Sequence, residues 1–124
     1  MKTRWILTAL ALAFPLAPAA LGAPAAAQAE IDQLLDYISH SNCRFNRNGS
    51  WHGMDEARSH ITMKYDYLRD RGKVPTAEAF IEEAASRSSL SGKNYLVECP
   101  GQPVTPSGAW LKDELERLRK APRG

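Results

Sequence analysis

The segment MDEARSHITMKYDYLRDRG, residues 54–72, carries the clearest folding pattern of this chain. Its apolar side chains recur every three or four residues, the spacing that one face of an α-helix requires. They are Met54, Ala57, Ile61, Tyr65 and Leu68. Acidic residues open the segment and arginines close it, which complements the helix dipole. Gly72 is typical of a helix end, so the segment predicts one amphipathic helix.

Three other segments have the same periodicity. The first covers about residues 30–39, and the second begins at the N-capping Thr76. The third begins near residues 105–107, where Pro106 suits a first helical turn. Together the four segments predict a mainly α-helical fold, a small bundle of about four helices.

Two short segments favour strands instead of helices. Residues 43–46 lead into Asn48-Gly49, a turn signal, and residues 94–99 alternate apolar and polar side chains. If they pair, the bundle also carries a short two-stranded β-ribbon. Cys43 and Cys99 would then lie at one end of it. An even number of cysteines in an exported chain favours a disulfide, the alternative being two free or metal-binding thiols.

The N-terminal segment has the order of a secretory signal peptide. Lys2 and Arg4 precede an apolar run over residues 5–14, and small residues follow up to Ala27 and Ala29. We therefore expect residues 1–29 to be a signal peptide cleaved near Ala27 or Ala29, with an uncleaved anchor as the alternative. Residues 30–124 then form a single small helical domain, frayed from about residue 121. The expected location is the periplasm, with no stable membrane anchor after cleavage.

Charge excludes one class of partner. Of the 16 basic residues, Lys2 and Arg4 leave with the signal, so 14 remain against 14 acidic residues. A net charge near zero gives no basic excess with which to bind nucleic acid. We expect the partner to be another periplasmic protein.

The histidines suggest a metal site only weakly. His52, Glu56 and His60 are spaced i, i+4, i+8 and would share one face of a continuous helix. Gly53 interrupts that helix, and the spacing lacks the compact HExxH form. Met54 and Met63 offer soft copper ligands nearby, although Met54 belongs to the apolar stripe. We predict no metal and no cofactor, and a periplasmic metal-handling protein remains an alternative.

Catalytic motifs are missing from the sequence. There is no GxSxG elbow, no SxxK and no glycine-rich phosphate loop. Adjacent carboxylates such as Glu82 and Glu83 point to different faces of a helix. We therefore predict a protein that is not an enzyme.

Two loops are candidates for binding. Residues 42–51 carry arginines between aromatic side chains, the residue types most favoured at binding hot spots. The candidate contact residues there are Arg44, Phe45, Arg47 and Trp51, the alternative being that Phe45 and Trp51 cover a small core from outside. The second loop, Ser91-Gly92-Lys93-Asn94-Tyr95, resembles the SGxxY loop of periplasmic lysozyme inhibitors. That resemblance implies Ser91 and Tyr95 as contacts and makes lysozyme inhibition an alternative function; otherwise Tyr95 packs inward after an ordinary turn.

The mature chain as a whole resembles a family of short bacterial periplasmic proteins, the YfeK-like domain of unknown function. The resemblance rests on residues spread along the chain: Ile31, Leu34-Leu35, Tyr37-Ile38, Cys43-Arg44-Phe45, Arg47-Asn48-Gly49, Ala57-Arg58, His60, Lys64-Tyr65, Tyr67-Leu68, Phe80-Ile81, Ala84-Ala85-Ser86, Ser88-Ser89, Ser91-Gly92, Tyr95 and Trp110-Leu111. It implies a periplasmic location, and it does not imply any reaction. The sequence predicts a non-catalytic binding or accessory module, monomeric or weakly associating.

Overall fold

The computed structural model describes residues 24–121 and, ahead of them, positions 3, 8, 9, 11 and 13. Most of the predicted signal peptide and the last three residues of the tail lie outside the described residues. Among the described residues, no helix is both long enough and apolar enough to cross a membrane.

Four helices and four strands make up the described fold. In chain order they are α1 (Ala25–Ser39), β1 (Arg44–Arg47), β2 (Ser50–His52), α2 (Met54–Arg69), α3 (Ala77–Ala84), β3 (Leu96–Glu98), β4 (Thr105–Pro106) and α4 (Ser107–Lys120). The four predicted helices are therefore confirmed. Thr76 caps α3 as predicted, because its hydroxyl accepts a 3.0 Å hydrogen bond from the Ala79 N–H.

The sheet corrects the predicted fold class. The fold is mixed α/β and not mainly α-helical. Instead of a two-stranded ribbon, four antiparallel strands run in the order β2-β1-β3-β4. The predicted pairing of β1 with β3 is present, with Phe45 opposite Val97. The additional strands β2 and β4 are only three and two residues long, too short to show an alternating pattern. Pairing with neighbouring strands defines them.

The predicted disulfide is present between Cys43 and Cys99, with a sequence separation of 56. It joins the residue before β1 to the residue after β3, beside the paired Arg44 and Glu98. Because the strands are short, this bond holds the sheet together at one end.

The core lies between the helices and the inner face of the sheet. Fully buried apolar side chains of α1 and α3 occupy its centre, among them Ile31, Leu34 and Phe80. The Tyr65 ring packs edge-on against Phe80 at 5.4 Å, and its hydroxyl donates a 2.6 Å hydrogen bond to Gln28 Oε1. Gln28 lies in the first turns of α1, which begins at Ala25, before the predicted start near residue 30. Cleavage near Ala27 or Ala29 stays a prediction.

Candidate functional site

The two loops singled out from the sequence meet in the structure. The tip of the β1–β2 hairpin is Asn48-Gly49, and both residues have positive φ values of 52° and 88°. In this turn, Asn48 Nδ2 donates to Ser88 Oγ at 3.1 Å, and Ser91 Oγ donates to Asn48 Oδ1 at 2.5 Å. The hairpin tip and residues 86–95 therefore form one continuous surface.

Ser88 fixes the shape of the second loop. Its side chain is buried, and its Oγ accepts hydrogen bonds from the backbone N–H groups of Leu90 and Ser91 at 3.2 and 3.3 Å. These bonds hold the loop in a turn that leaves Leu90 96% exposed. An apolar side chain so fully exposed on an anchored turn is available to a partner.

Tyr95 lies beneath this surface. It is only 6% exposed, and its hydroxyl is 3.3 Å from both His60 Nε2 and Lys64 Nζ. Lys64 also donates a 2.6 Å hydrogen bond to the Arg87 carbonyl. Tyr95 thus connects α2 to the loop, and its ring supports the surface from inside.

The surroundings of Tyr95 shift the pKa values of His60, Lys64 and Tyr95 itself in the direction of the neutral form. Burial lowers the pKa of His60, and the positive charges of Arg47 and Lys64 lower it further. The pKa of Lys64 is lowered by burial and by Arg87, while Glu83 opposes this shift. Burial also raises the pKa of the Tyr95 hydroxyl. The cluster is an electropositive environment in which a further proton is disfavoured.

This cluster makes stability depend on pH. In the unfolded chain His60 titrates near pH 6.5, and its folded pKa is lower, so the unfolded state binds the proton first as the pH falls. The stabilisation from neutral His60 is therefore complete above about pH 6.5 and is lost as the pH falls below it towards the folded pKa. His60→Gln should flatten the decline in the free energy of unfolding between about pH 7.5 and 5.5. Urea unfolding at several pH values measures this. The control is His40→Gln on the exposed end of α1, and equal slopes for the two variants would contradict the assignment.

A groove runs between α2 and the 86–95 loop, with a volume of about 480 Å³. Apolar side chains flank it: Met63 is 65% exposed, Tyr67 is 57% exposed and Leu90 is almost fully exposed. Arg47 and Lys64 supply positive charge along it. We call this the α2–loop groove, and its lining residues are Arg47, Asn48, His60, Met63, Lys64, Tyr67, Ser88, Ser89, Leu90 and Tyr95.

The other predicted contact residues lie elsewhere, because successive residues of a strand point to opposite faces of a sheet. Arg44 pairs with Glu98 on the outer face, and its guanidinium lies 5.1 Å from the centre of the Trp51 ring. Phe45 points inward, is buried, and packs edge-on against Trp110 at 5.6 Å. Of the six predicted residues, the structure brings together Arg47, Ser91 and Tyr95.

A small recess lies beside the groove, between β1, β2, α2 and the start of α4. Its volume is about 30 Å³, and its lining residues are Phe45, Asn46, Arg47, His52, Glu56, Ala57, His60, Ile61, Tyr95 and Ser107. The weak metal candidates fall here. His52 lies on β2, and its Nδ1 is 3.0 Å from Glu56 Oε2 on α2. Within the described part of the chain, no group of three or more His, Cys, Asp or Glu side chains is arranged to hold a metal.

His52, Glu56 and Ser107 are the residue types of a nucleophile–base–carboxylate triad. Glu56 orients the imidazole as a carboxylate does in such a triad. The Ser107 hydroxyl and His52 Nε2, however, are buried without any hydrogen-bond partner among the described residues, so they do not bond to each other. In the described structure, Ser107 is therefore not hydrogen-bonded to the histidine as the nucleophile of such a triad is.

Comparison with known proteins places the chain in a family. The model of a family of unknown function, DUF5329, matches residues 25–119, from the first residue of α1 almost to the end of α4. This chain belongs to the DUF5329 family. The uncharacterized protein YfeK of Salmonella typhimurium (strain LT2) is 39% identical over 69 residues. The alignment covers 55% of this chain and 56% of YfeK, and no solved structure matches. The predicted resemblance to a YfeK-like domain of unknown function is confirmed.

Within this DUF5329 domain, several site residues were not predicted as contacts. Lys64 and Tyr67 belong to the amphipathic pattern of α2, Leu90 to a serine-rich loop, and Ser107 to a helix start. Each has an ordinary structural role in its local segment. The single local signal was the apolar Leu90 within a serine-rich loop segment, where an apolar side chain is unusual.

Proposed function

We propose that this protein is a non-catalytic binding module whose α2–loop groove docks a segment of a partner protein. The observation that carries the proposal is the exposed apolar set Met63, Tyr67 and Leu90, anchored on a helix and on a hydrogen-bonded turn. Exposed apolar side chains concentrated in one groove are typical of interaction sites.

Charge defines the chemistry of the partner. Arg47 and Lys64 line the groove, and among the lining residues in the described structure there is no carboxylate. At the edge of the groove, the Arg71 guanidinium stacks 3.5 Å from the centre of the Tyr67 ring and adds a third cation. A segment with both apolar and acidic side chains complements this surface.

The proposed setting is the periplasm, and the partner another protein there. The Cys43–Cys99 disulfide is compatible with an oxidising compartment and supports this setting. Lysozyme inhibition receives less support, because an SGxxY-type contact needs an accessible tyrosine and Tyr95 is 6% exposed.

A displayed library of random peptides tests the groove even though the partner is unidentified. Selection on the full chain should enrich peptides with interleaved apolar and acidic residues. Leu90→Ser should weaken their binding about tenfold, or about 1.4 kcal/mol, because it removes a central apolar contact. Arg47→Ala should weaken their binding less and should make it less sensitive to salt, since a long-range charge attraction is removed.

Two exposed residues outside the groove provide matched controls. Val104→Ser removes an exposed apolar side chain between β3 and β4, and Lys73→Ala removes an exposed cation after α2. Both variants should bind the selected peptides like the unmodified protein. Equal losses from Leu90→Ser and Val104→Ser, or no enrichment at all, would refute the proposed groove.

A further inference from the structure

Two buried polar atoms without hydrogen-bond partners belong to residues that line the same recess. His52 Nε2 and Ser107 Oγ have almost no accessible surface and no hydrogen-bond partner in the described structure. Both residues line the recess of about 30 Å³ beside β1 and β2. Buried polar groups in folded proteins nearly always have a hydrogen-bond partner. Two unpaired polar atoms at one recess therefore indicate that a further molecule or group supplies their hydrogen bonds.

Ser107 is fixed at this position by the fold. It has no exposed surface, and its backbone N–H donates a 2.9 Å hydrogen bond to the Tyr95 carbonyl at the junction of β4 and α4. The fold therefore holds this hydroxyl inside the protein. A serine hydroxyl donates one hydrogen bond and accepts others, so it offers a proton to whatever occupies the recess.

His52 presents the complementary chemistry. Its Nδ1 lies 3.0 Å from Glu56 Oε2, an arrangement in which the carboxylate favours the tautomer with the proton on Nδ1. Nε2 then carries a lone pair and accepts a hydrogen bond. An occupant that donates to His52 Nε2 and accepts from Ser107 Oγ satisfies both atoms.

The walls restrict the rest of the occupant. Phe45, Ala57 and Ile61 are buried apolar side chains, while the partly exposed Arg47 and His60 lie towards solvent. One water molecule needs a cavity of about 10–15 Å³, so a recess of about 30 Å³ accommodates a group of a few atoms. Placing a charged group against these apolar walls would cost free energy, which favours a neutral occupant.

We propose that this recess binds a small neutral group that both donates and accepts a hydrogen bond, a hydroxyl or a primary amide on a short apolar stem. The recess shares Arg47, His60 and Tyr95 with the proposed docking groove, whereas His52 and Ser107 line the recess and not the groove. The group can come from a free small molecule or from a side chain of a bound protein, and the chemistry at His52 and Ser107 is the same for both.

Titration of the full chain with propan-2-ol and with acetamide, followed by ¹H–¹⁵N correlation spectra, tests the site. Saturable shifts are expected at the amides of residues around Ser107 and His52. Acetone, which accepts but does not donate, should bind about 3- to 10-fold more weakly than propan-2-ol, the range expected for one lost hydrogen bond. Ser107→Ala should weaken both probes by a similar factor, whereas Ser59→Ala on the exposed side of α2 should have no effect.

Crystals soaked in propan-2-ol give the second readout. Density for the alcohol between His52 Nε2 and Ser107 Oγ supports the site, whereas ordered water alone at that position overturns it. Linear shifts that do not saturate, or shifts unchanged by Ser107→Ala, overturn it as well. Where the probes bind, the peptides selected on the groove are added as competitors. Displacement of the probe indicates that a side chain of a bound protein fills the recess, and no displacement indicates a free small molecule.

Discussion

Removal of the disulfide by Cys43→Ala with Cys99→Ala lowers the free energy of unfolding by about 4 kcal/mol. The bond closes a loop with a sequence separation of 56, which includes β2, α2 and α3. In the chain-entropy model, opening a loop of that length returns this amount of conformational freedom to the unfolded state. Domains of this size are stable by about 5–15 kcal/mol, so the loss is a large share of the total.

Chemical denaturation of the oxidised protein and the double variant measures the difference. A reducing agent should destabilise the unmodified protein to a similar extent and leave the double variant unchanged. Because the bond lies at the end of the β1–β3 pair, the variant should also lose amide-exchange protection first at Phe45 and Val97. A change below about 1 kcal/mol would show that the sheet does not depend on the bond.

Gly108→Ala lowers the free energy of unfolding by about 2 kcal/mol, although alanine is the better helix former. A Cβ atom at residue 108 would lie 2.5 Å from Ser86 Oγ and 3.3 Å from Ser86 Cβ. Ser86 does not move aside easily, because its Oγ donates a 2.6 Å hydrogen bond to the Ile81 carbonyl and its own carbonyl accepts from the Tyr95 N–H at 2.9 Å. Crowding in a packed core therefore outweighs the gain in helix propensity.

A double-mutant cycle separates crowding from a general intolerance of α4 to substitution. Ser86→Ala removes the nearer atom, so the pair Gly108→Ala with Ser86→Ala should be more stable than the sum of the two single effects predicts. Ala109, the next residue and exposed, provides the control site: Ala109→Ser should change stability by less than about 0.5 kcal/mol. Additive effects of Gly108→Ala and Ser86→Ala would contradict the predicted contact.

The helices could be predicted because their signals are local. The apolar stripe of α2 and the Thr76 cap of α3 depend on residues within a few positions of each other. The early start of α1 could not be predicted, since the alanine-rich residues 25–29 show no amphipathic pattern and Ala27 is buried only by the tertiary fold. The same physical limit hid β2 and β4, which exist through hydrogen bonds to neighbouring strands.

The candidate site divides in the same way. The two candidate loops could be singled out from the sequence, because arginines between aromatic residues and the turn Ser91-Gly92 are visible there. The contact between the two loops through Asn48 could not be predicted, since Asn48 and Ser88 are 40 residues apart in the chain. The recess is still harder to predict from the sequence, because His52, Glu56 and Ser107 come from three separate elements.

By itself, the sequence determined the four helices, because periodicity and capping act over short distances. It also favoured the Cys43–Cys99 disulfide and the family resemblance, but it left open whether the two short strands pair. Only the tertiary structure decided that β1 lies inside a four-stranded sheet. It also decided that Tyr95 is buried while Leu90 is exposed, and that two unpaired polar atoms share one recess. Those properties depend on which distant surfaces exclude water from each other, and no local pattern of residues encodes that.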